Sequence, residues 1–352
     1  MSVAALETAV IASKFRGALV GALIGDCFGA PFDHDGKVSK VILQKYFDKM
    51  EDPSFKSPAK SYTDDTAMTK ALTESLVTHH SLNELDLAKR LVGNYFSIKE
   101  PDRSYGSQTT TIFHKLKNSK FDDIWLPAKE LFNGEGSLGS GGATRITPIA
   151  IFCYSNYDLM LNFAEKCTKL THTHKLGVNG ALLQAIAVNQ SFYSLPNVPL
   201  NVDKFVTDLI NKMADLEKIE SDNVYLKEEE PTPYKNRLEE IQRLLKRNEV
   251  DDDEVIAKLG NSEEALNSVP TALYCFLRSE KPIKTVKTEN KFRRAVQYSI
   301  SLGGNTDTIA SMAGAISGAY HGYEYINKSI QSHCEKIKET INLADQLYGI
   351  IK

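Results

Sequence analysis

The sequence predicts an all-α protein, a single compact multi-helix domain spanning residues 1–352. Three observations carry that prediction. Most segments space their apolar residues as helices do, and no stretch alternates long enough for a substantial sheet. Two glycine series, Gly17, Gly21, Gly25, Gly29 and Gly314, Gly318, Gly322, run at intervals of four, the spacing of helices whose backbones touch.

The first helix is expected over 5–25. Glycine in a helix interior costs about 1 kcal/mol relative to alanine, so the stripe needs a reason. Close crossing in a soluble core supplies one. It would set the first and late helices at the centre and draw 25–33 towards 303–308, unless each stripe packs against some other helix. Pro31 should end the first helix, and the acids of GDCFGAPFDHD (Asp26, Asp33, Asp35) cluster after that helix. A carboxylate on such a loop suits acid–base or gating work, and equally suits simple solvation.

The next helix, 66–79, is announced by SYTDDTAM and carries apolar Ala67, Leu72 and Leu76. Threonine and aspartate there are good N-caps and favour the positive end of the helix dipole. Near the other end of the chain GGNTDTIA repeats the pattern before a helix over 308–322. For each stretch alone, capping is the better reading; together they raise the question of a shared metal site.

Between them, helices are expected over 84–97, 107–117, 157–170, 177–190, 202–219, 234–247, 252–259, 262–278 and 289–301, with a last one over 333–350. FNGEGSLGSGGATRIT (132–147) holds five glycines, too many for a regular helix interior. Its amides suit an anion, yet no strand precedes a GxGxxG and no GK[ST] follows, so a surface loop is an equal reading. THTHKLG (171–177) sets two histidines two apart, where a helical zinc pair would prefer four. The charged stretch 220–260 reads as a surface excursion within one domain, because the two acidic motifs lie on opposite sides of it.

Composition narrows the function classes. A net charge of −3 without a basic run argues against a nucleic-acid grip through phosphate neutralisation. The five cysteines form no CxxC pair, which fits free thiols in a reducing compartment. The N-terminal segment lacks the organisation of a secretory signal. Its apolar run is broken by Lys14, Arg16 and Asp26, so no membrane span is expected.

The order of the motifs carries more than any one of them. GD-x₂-G-x₃-acid, YTDDTAM, a glycine-rich loop, THxxxLGxNGA and GGxTDTIAxMAGAxxGAxxG in a helical chain resemble the ADP-ribosylglycohydrolase family, which includes dinitrogenase reductase-activating glycohydrolase. The resemblance runs from about residue 15 to the last helix and is nearest to the ADP-ribosylhydrolase 3 branch.

That resemblance implies a binuclear magnesium site in a cleft, with two Mg²⁺ held by Thr63, Asp64, Asp65, Asp307 and Thr308, and Asn305 as a weaker candidate. Oxygen donors without cysteine or paired histidine suit Mg²⁺ better than zinc. It implies a hydrolase that removes ADP-ribose from protein serine and trims poly(ADP-ribose). The metals would orient the distal ribose. Asp33 would serve as the catalytic carboxylate, Gly136, Ser137 and Gly139 would cradle the diphosphate, and Gly106 would line the cleft. Phe132 would stack on adenine, and His172 would contact the adenosine side. Partners would be ADP-ribosylated proteins, with no membrane or nucleic acid; a monomer suffices. The resemblance further implies a DNA-damage setting in nucleus and cytoplasm, with the mitochondrial matrix as a further location.

Two departures stand out. Asp33 lies where the branch has glutamate, and Asn305 lies where the family reads GGDTDT. The shorter side chain pulls the carboxylate back by about 1.5 Å, one C–C bond. An ADP-ribose-binding variant with little turnover is therefore an alternative, and an unrelated two-metal phosphohydrolase is another.

Overall fold

The chain folds as a succession of helices: α1 (Val3–Gly29), α2 (Lys40–Glu51), α3 (Asp64–His79), α4 (Glu84–Tyr95), α5 (Ser107–Asn118), α6 (Leu126–Lys129), α7 (Gly141–Thr144), α8 (Thr147–Phe152), α9 (Tyr157–Lys169), α10 (Lys175–Phe192), α11 (Val202–Ser221), α12 (Pro233–Leu245), α13 (Asp252–Leu259), α14 (Ala265–Arg278), α15 (Lys291–Ser301), α16 (Thr306–His321), α17 (Lys328–Ser332) and α18 (Ile337–Ile351). The computed structural model describes residues 3–33, 36–98, 102–194, 198–221 and 231–351. Among these there is no strand, only isolated bridges such as Lys60 with Cys334 and Gly139 with Glu264.

The glycine stripes meet each other. Gly17 lies against Gly318, Gly21 against Gly314 and Gly25 against Ala310, so α1 and α16 run antiparallel with their backbones in contact. A Cβ on Gly29 would come within 2.5 Å of Asp307 Cα. Glycine thus fixes the end of α1 against the start of α16. α1 is long and apolar enough to cross a bilayer by length and composition. Here that surface is used internally: Phe15, Ala18, Val20, Leu23, Ile24, Cys27 and Phe28 are buried. α1 contributes to both hydrophobic clusters, which makes it the shared wall of one core.

Several boundaries and elements differ from expectation. The helix expected at 66 begins at Asp64, and the one expected at 308 begins at Thr306, which puts the acids inside the first turns. α2 has no counterpart in the expected set, although Leu43, Phe47 and Met50 are spaced as one helical face and are buried. Each such side chain contributes on the order of 1.5–3 kcal/mol. α6, α7, α8 and α17 are too short for periodicity to reveal. The glycine-rich loop contains a helical turn, α7, where none was expected.

The charged 220–260 stretch is an excursion on one side only. Tyr234, Leu238, Ile241, Leu244, Val255 and Leu259 are fully buried in the main core. Amphipathic helices there turn their leucines in and most of their acids outward, the buried Asp252, paired with Lys40, excepted. Residues 222–230 lie outside the described ones.

Candidate active site

The acidic motif is a helix start shaped by a buried acid. Thr63 is the N-cap of α3, and its side-chain oxygen accepts the Asp65 N–H at 3.4 Å. The backbone N–H of Thr63 donates to both oxygens of Asp26, at 3.0 and 3.1 Å, and that of Thr66 donates to Asp26 Oδ2 at 3.0 Å. Asp26 is fully buried near the end of α1. Its carboxylate satisfies amides that a helix N-terminus leaves free, and so orients Asp64 and Asp65. From the other side, the Asp64 N–H donates to the Arg103 carbonyl at 2.7 Å. The Arg103 guanidinium lies 3.6 Å over the Tyr62 ring, donates to the Tyr62 carbonyl at 3.0 Å and pairs with Glu335.

The two motifs meet. The Thr308 hydroxyl donates to Asp65 Oδ2 at 2.7 Å, and the Thr308 N–H donates to Asp307 Oδ1 at 2.7 Å. Thr306 ties the same turn to α1 by donating its hydroxyl to the Gly29 carbonyl at 2.9 Å. Asn305, the N-cap residue of α16, makes no side-chain cap bond. With its amide oriented to satisfy both ends, its Nδ2 donates to Asp33 Oδ1 at 3.3 Å and Asp307 Oδ1 at 3.1 Å. Its Oδ1 stands 3.2 Å from Thr308 Oγ1. Asp33 follows the short 3₁₀ turn Ala30–Phe32, half-buried, at the edge of this group. Asp35 lies outside the described residues.

Electrostatics bind the acids into one unit. Burial, then repulsion from Asp65, Asp307 and Asp26, holds the Asp64 carboxyl well above its ordinary range. Burial and the neighbouring Asp26 push Asp65 up to about 7, against the hydrogen bonds from Thr308 and Thr144. Asp307 is likewise raised well above its ordinary value, by burial and then by Asp65, Asp26 and Asp33. Like charges sharing a desolvated site cannot all ionise unless a cation joins them.

The residues fit such a cation in chemistry. Among the described residues, no three Asp, Glu, His or Cys side chains already stand together as a complete ligand set. The donors are instead carboxylates from two helix starts plus the oxygens of Thr63 and Thr308. An all-oxygen set suits a hard divalent ion.

Most of the remaining expected residues lie on the glycine-rich stretch and the segments next to it. Phe132 is half-exposed, with positive φ, on the turn Leu131–Gly134. Gly136 has φ +79 and faces Thr173 and His174. Its N–H donates to the Leu131 carbonyl at 3.0 Å, and the Gly139 N–H donates to Ser137 Oγ at 3.3 Å. Two amides expected to face an anion are thus bonded within the loop. Ser137 Oγ in turn reaches Gln108 at 3.3 Å, two residues beyond Gly106, the N-cap residue of α5. His172 is buried against Gly139 and Gly141. His174 caps α10 by accepting the Leu176 N–H at 3.1 Å. The glycine-rich stretch lies next to α3: a Cβ on Gly141 would stand 3.7 Å from Met68 Cε, one turn along α3 from Asp65.

Sequence reasoning did not single out Arg103, Arg145 or Thr171, and it gave Asp26 only as an acid on the loop after the first helix, not as the buried acid within α1 that holds the start of α3. A signal existed for two of them. Asp26 is an acid in an apolar glycine helix, and Arg145 is a lone cation in GGATRITPIAI; both are fully buried. Arg103 and Thr171 carry no such mark.

The chain matches the family model described as ADP-ribosylglycohydrolase over residues 7–352. It is 42% identical over 348 residues to ADP-ribosylhydrolase ARH3 of Mus musculus, covering 97% of this chain and 92% of that protein. To ADP-ribosylhydrolase ARH3 of Danio rerio it is 38% identical, covering 99% and 94%. A solved structure titled ADP-ribosylglycohydrolase-related protein complex shares the fold, with a TM-score of 0.65 at 20% identity, covering 97% of this chain and 99% of that one.

Proposed function

The chain belongs to the ADP-ribosylglycohydrolase family and is a glycohydrolase, and on that premise we propose that it cleaves the O-glycosidic bond of ADP-ribose attached to protein serine and within poly(ADP-ribose), with Mg²⁺ as cofactor. The observation that carries this reading is the junction of the two acidic motifs, where Thr308 donates to Asp65 and Asp307 lies beside both.

Thr63, Asp64, Asp65, Asp307 and Thr308 would hold two Mg²⁺. When bound, that pair supplies the positive charge that orients the ribose hydroxyls beside the anomeric carbon. Asp26 and Arg103 hold the α3 start by its backbone amides. Asp33 stands where a carboxylate serves the leaving oxygen, or the attacking water, in an oxocarbenium-like reaction. Asn305 holds Asp33 by one carboxylate oxygen. Gly136, Ser137 and Gly139 allow the diphosphate close approach, Gly106 lines the cleft, Phe132 offers a half-exposed ring to adenine, and His172 faces the adenosine side.

A second reading, an ADP-ribose binder with slow turnover, draws on the short Asp33 side chain and its bond to Asn305. One experiment addresses both: incubation with a serine-ADP-ribosylated peptide and Mg²⁺, followed by product analysis. Intact free ADP-ribose at multiple turnovers supports hydrolysis. Tight binding without release supports the second reading, and AMP or phosphate as product refutes both.

A further inference from the structure

Arg145, near the end of the glycine-rich stretch, is fully buried, and among the described residues no carboxylate pairs with it. Its Nη2 donates to the Cys167 carbonyl at 2.7 Å, at the C-terminal end of α9, where the helix dipole favours a cation. The same nitrogen donates to Thr171 Oγ1 at 2.7 Å. Thr171 Oγ1 also lies 2.7 Å from His172 Nδ1. Thr171 is buried, and its hydroxyl has no other acceptor among the described residues.

A guanidinium has donors and no acceptor, and it keeps its protons at any ordinary pH. Thr171 Oγ1 must therefore accept from Arg145. A hydroxyl carries a single proton, and its one available acceptor is His172 Nδ1. The chain of bonds runs in one direction, so Nδ1 accepts and the imidazole proton sits on the other nitrogen. We infer that Arg145 and Thr171 are positioning residues that fix His172 with its single proton on Nε2, as a donor directed at the glycine-rich loop and used to bind an acceptor oxygen of the nucleotide ligand.

Three further observations fit. Nε2 has no hydrogen-bond partner among the described residues, although His172 is only 5% exposed. A Cβ on either Gly139 or Gly141 would stand 3.3 Å from Nε2, so both glycines keep a covering side chain off that edge. Burial, and then the nearby Arg145 charge, hold the imidazole far below its ordinary pKa, at about 3, so it carries one proton at neutral pH. The relay's use as a ligand donor rests on the ADP-ribose reading above; its direction does not.

Long-range ¹H–¹⁵N spectra of the full-length protein test the direction without substrate. The His172 signals are assigned by their loss in His172→Gln. The expected result is an unprotonated Nδ1 and a protonated Nε2. In Thr171→Val the fixed tautomer should give way to a mixture, and Thr171→Ser should restore it. A protonated Nδ1 in the native protein, or an unchanged tautomer in Thr171→Val, overturns the relay. Calorimetry with ADP-ribose and Mg²⁺ tests the use: Thr171→Val should bind about tenfold more weakly, the worth of about one hydrogen bond, and Thr171→Ser nearly as the native protein. Native-like binding by Thr171→Val overturns the donor role. If the native protein shows the expected tautomer but neither binds nor releases ADP-ribose, the relay stands and the substrate reading fails.

Discussion

Replacing Gly25 by alanine is the sharpest test of how this fold builds its site. The added methyl would fall into the backbone of Ala310 and Ser311, with Ser311 N at 2.5 Å from the new Cβ. Ordinary contact begins near 3.4 Å and the Ala310 carbonyl lies nearer still, so α1 and α16 must separate by at least about 1 Å at that point. Overpacking of this kind costs about 1–3 kcal/mol. Alanine's better helix propensity offsets about 1 kcal/mol of it, because Gly25 already sits inside a helix. Because the clash is with backbone atoms, which cannot turn aside, the net loss of stability stays at the upper end, about 2 kcal/mol or more. The effect on the site should be larger. Gly25 adjoins Asp26, and Ala310 lies one turn from Asp307, so the two halves of the oxygen cluster ride on the helices being pushed apart. A displacement near 1 Å costs on the order of 10²-fold in rate. The assay is release of ADP-ribose at saturating Mg²⁺ alongside a denaturant melt. Gly93→Ala, a helical glycine with open space around it, is the control and should keep full activity. A Gly25→Ala protein as active as the control would refute the idea that helix contact sets the cluster geometry.

Four further outcomes are expected. Asp64→Asn and Asp307→Asn should each weaken Mg²⁺ and ADP-ribose binding together, by on the order of 10–100-fold, in calorimetry; binding that survives both changes and ignores a chelator contradicts the metal reading. Asp33→Glu should raise single-turnover release of serine-linked ADP-ribose with little change in product affinity, since the longer side chain acts chiefly in the transition state. Asn305→Asp places a third carboxylate against Asp33 and Asp307 and should lower the melting temperature in chelator yet recover with Mg²⁺; a loss that Mg²⁺ leaves in place argues against a cation there. His172 has a folded pKa of about 3, below its ordinary 6.5, so its contribution to stability is present above pH 6.5 and lost as pH falls. At pH 5.5 that loss is about 1.4 kcal/mol, and the difference between native and His172→Gln melts should shrink accordingly, while the raised carboxylates act oppositely in both proteins and cancel.

What the sequence determined by itself is local and periodic. Apolar spacing marks the long helices because a helix in contact with a core must repeat its buried face. Glycines spaced by four mark the close crossing because a methyl-free stripe in a helix is costly unless backbones meet there. TDDT and TDT mark helix starts because threonine and aspartate oxygens suit free amides. The pairing of the two glycine stripes, and with it the meeting of Asp65 and Thr308, was open in the sequence and is decided in three dimensions. The reason is that periodicity states which face of a helix is buried and never against which partner. Only the tertiary structure shows that Asp26 holds Thr63 and Thr66, that Arg103 holds Asp64, and that Arg145 reaches His172 through Thr171. Those bonds join residues from separate elements, or atoms whose hydrogen-bonding role depends on what the next atom must donate. A one-dimensional pattern carries neither kind of information.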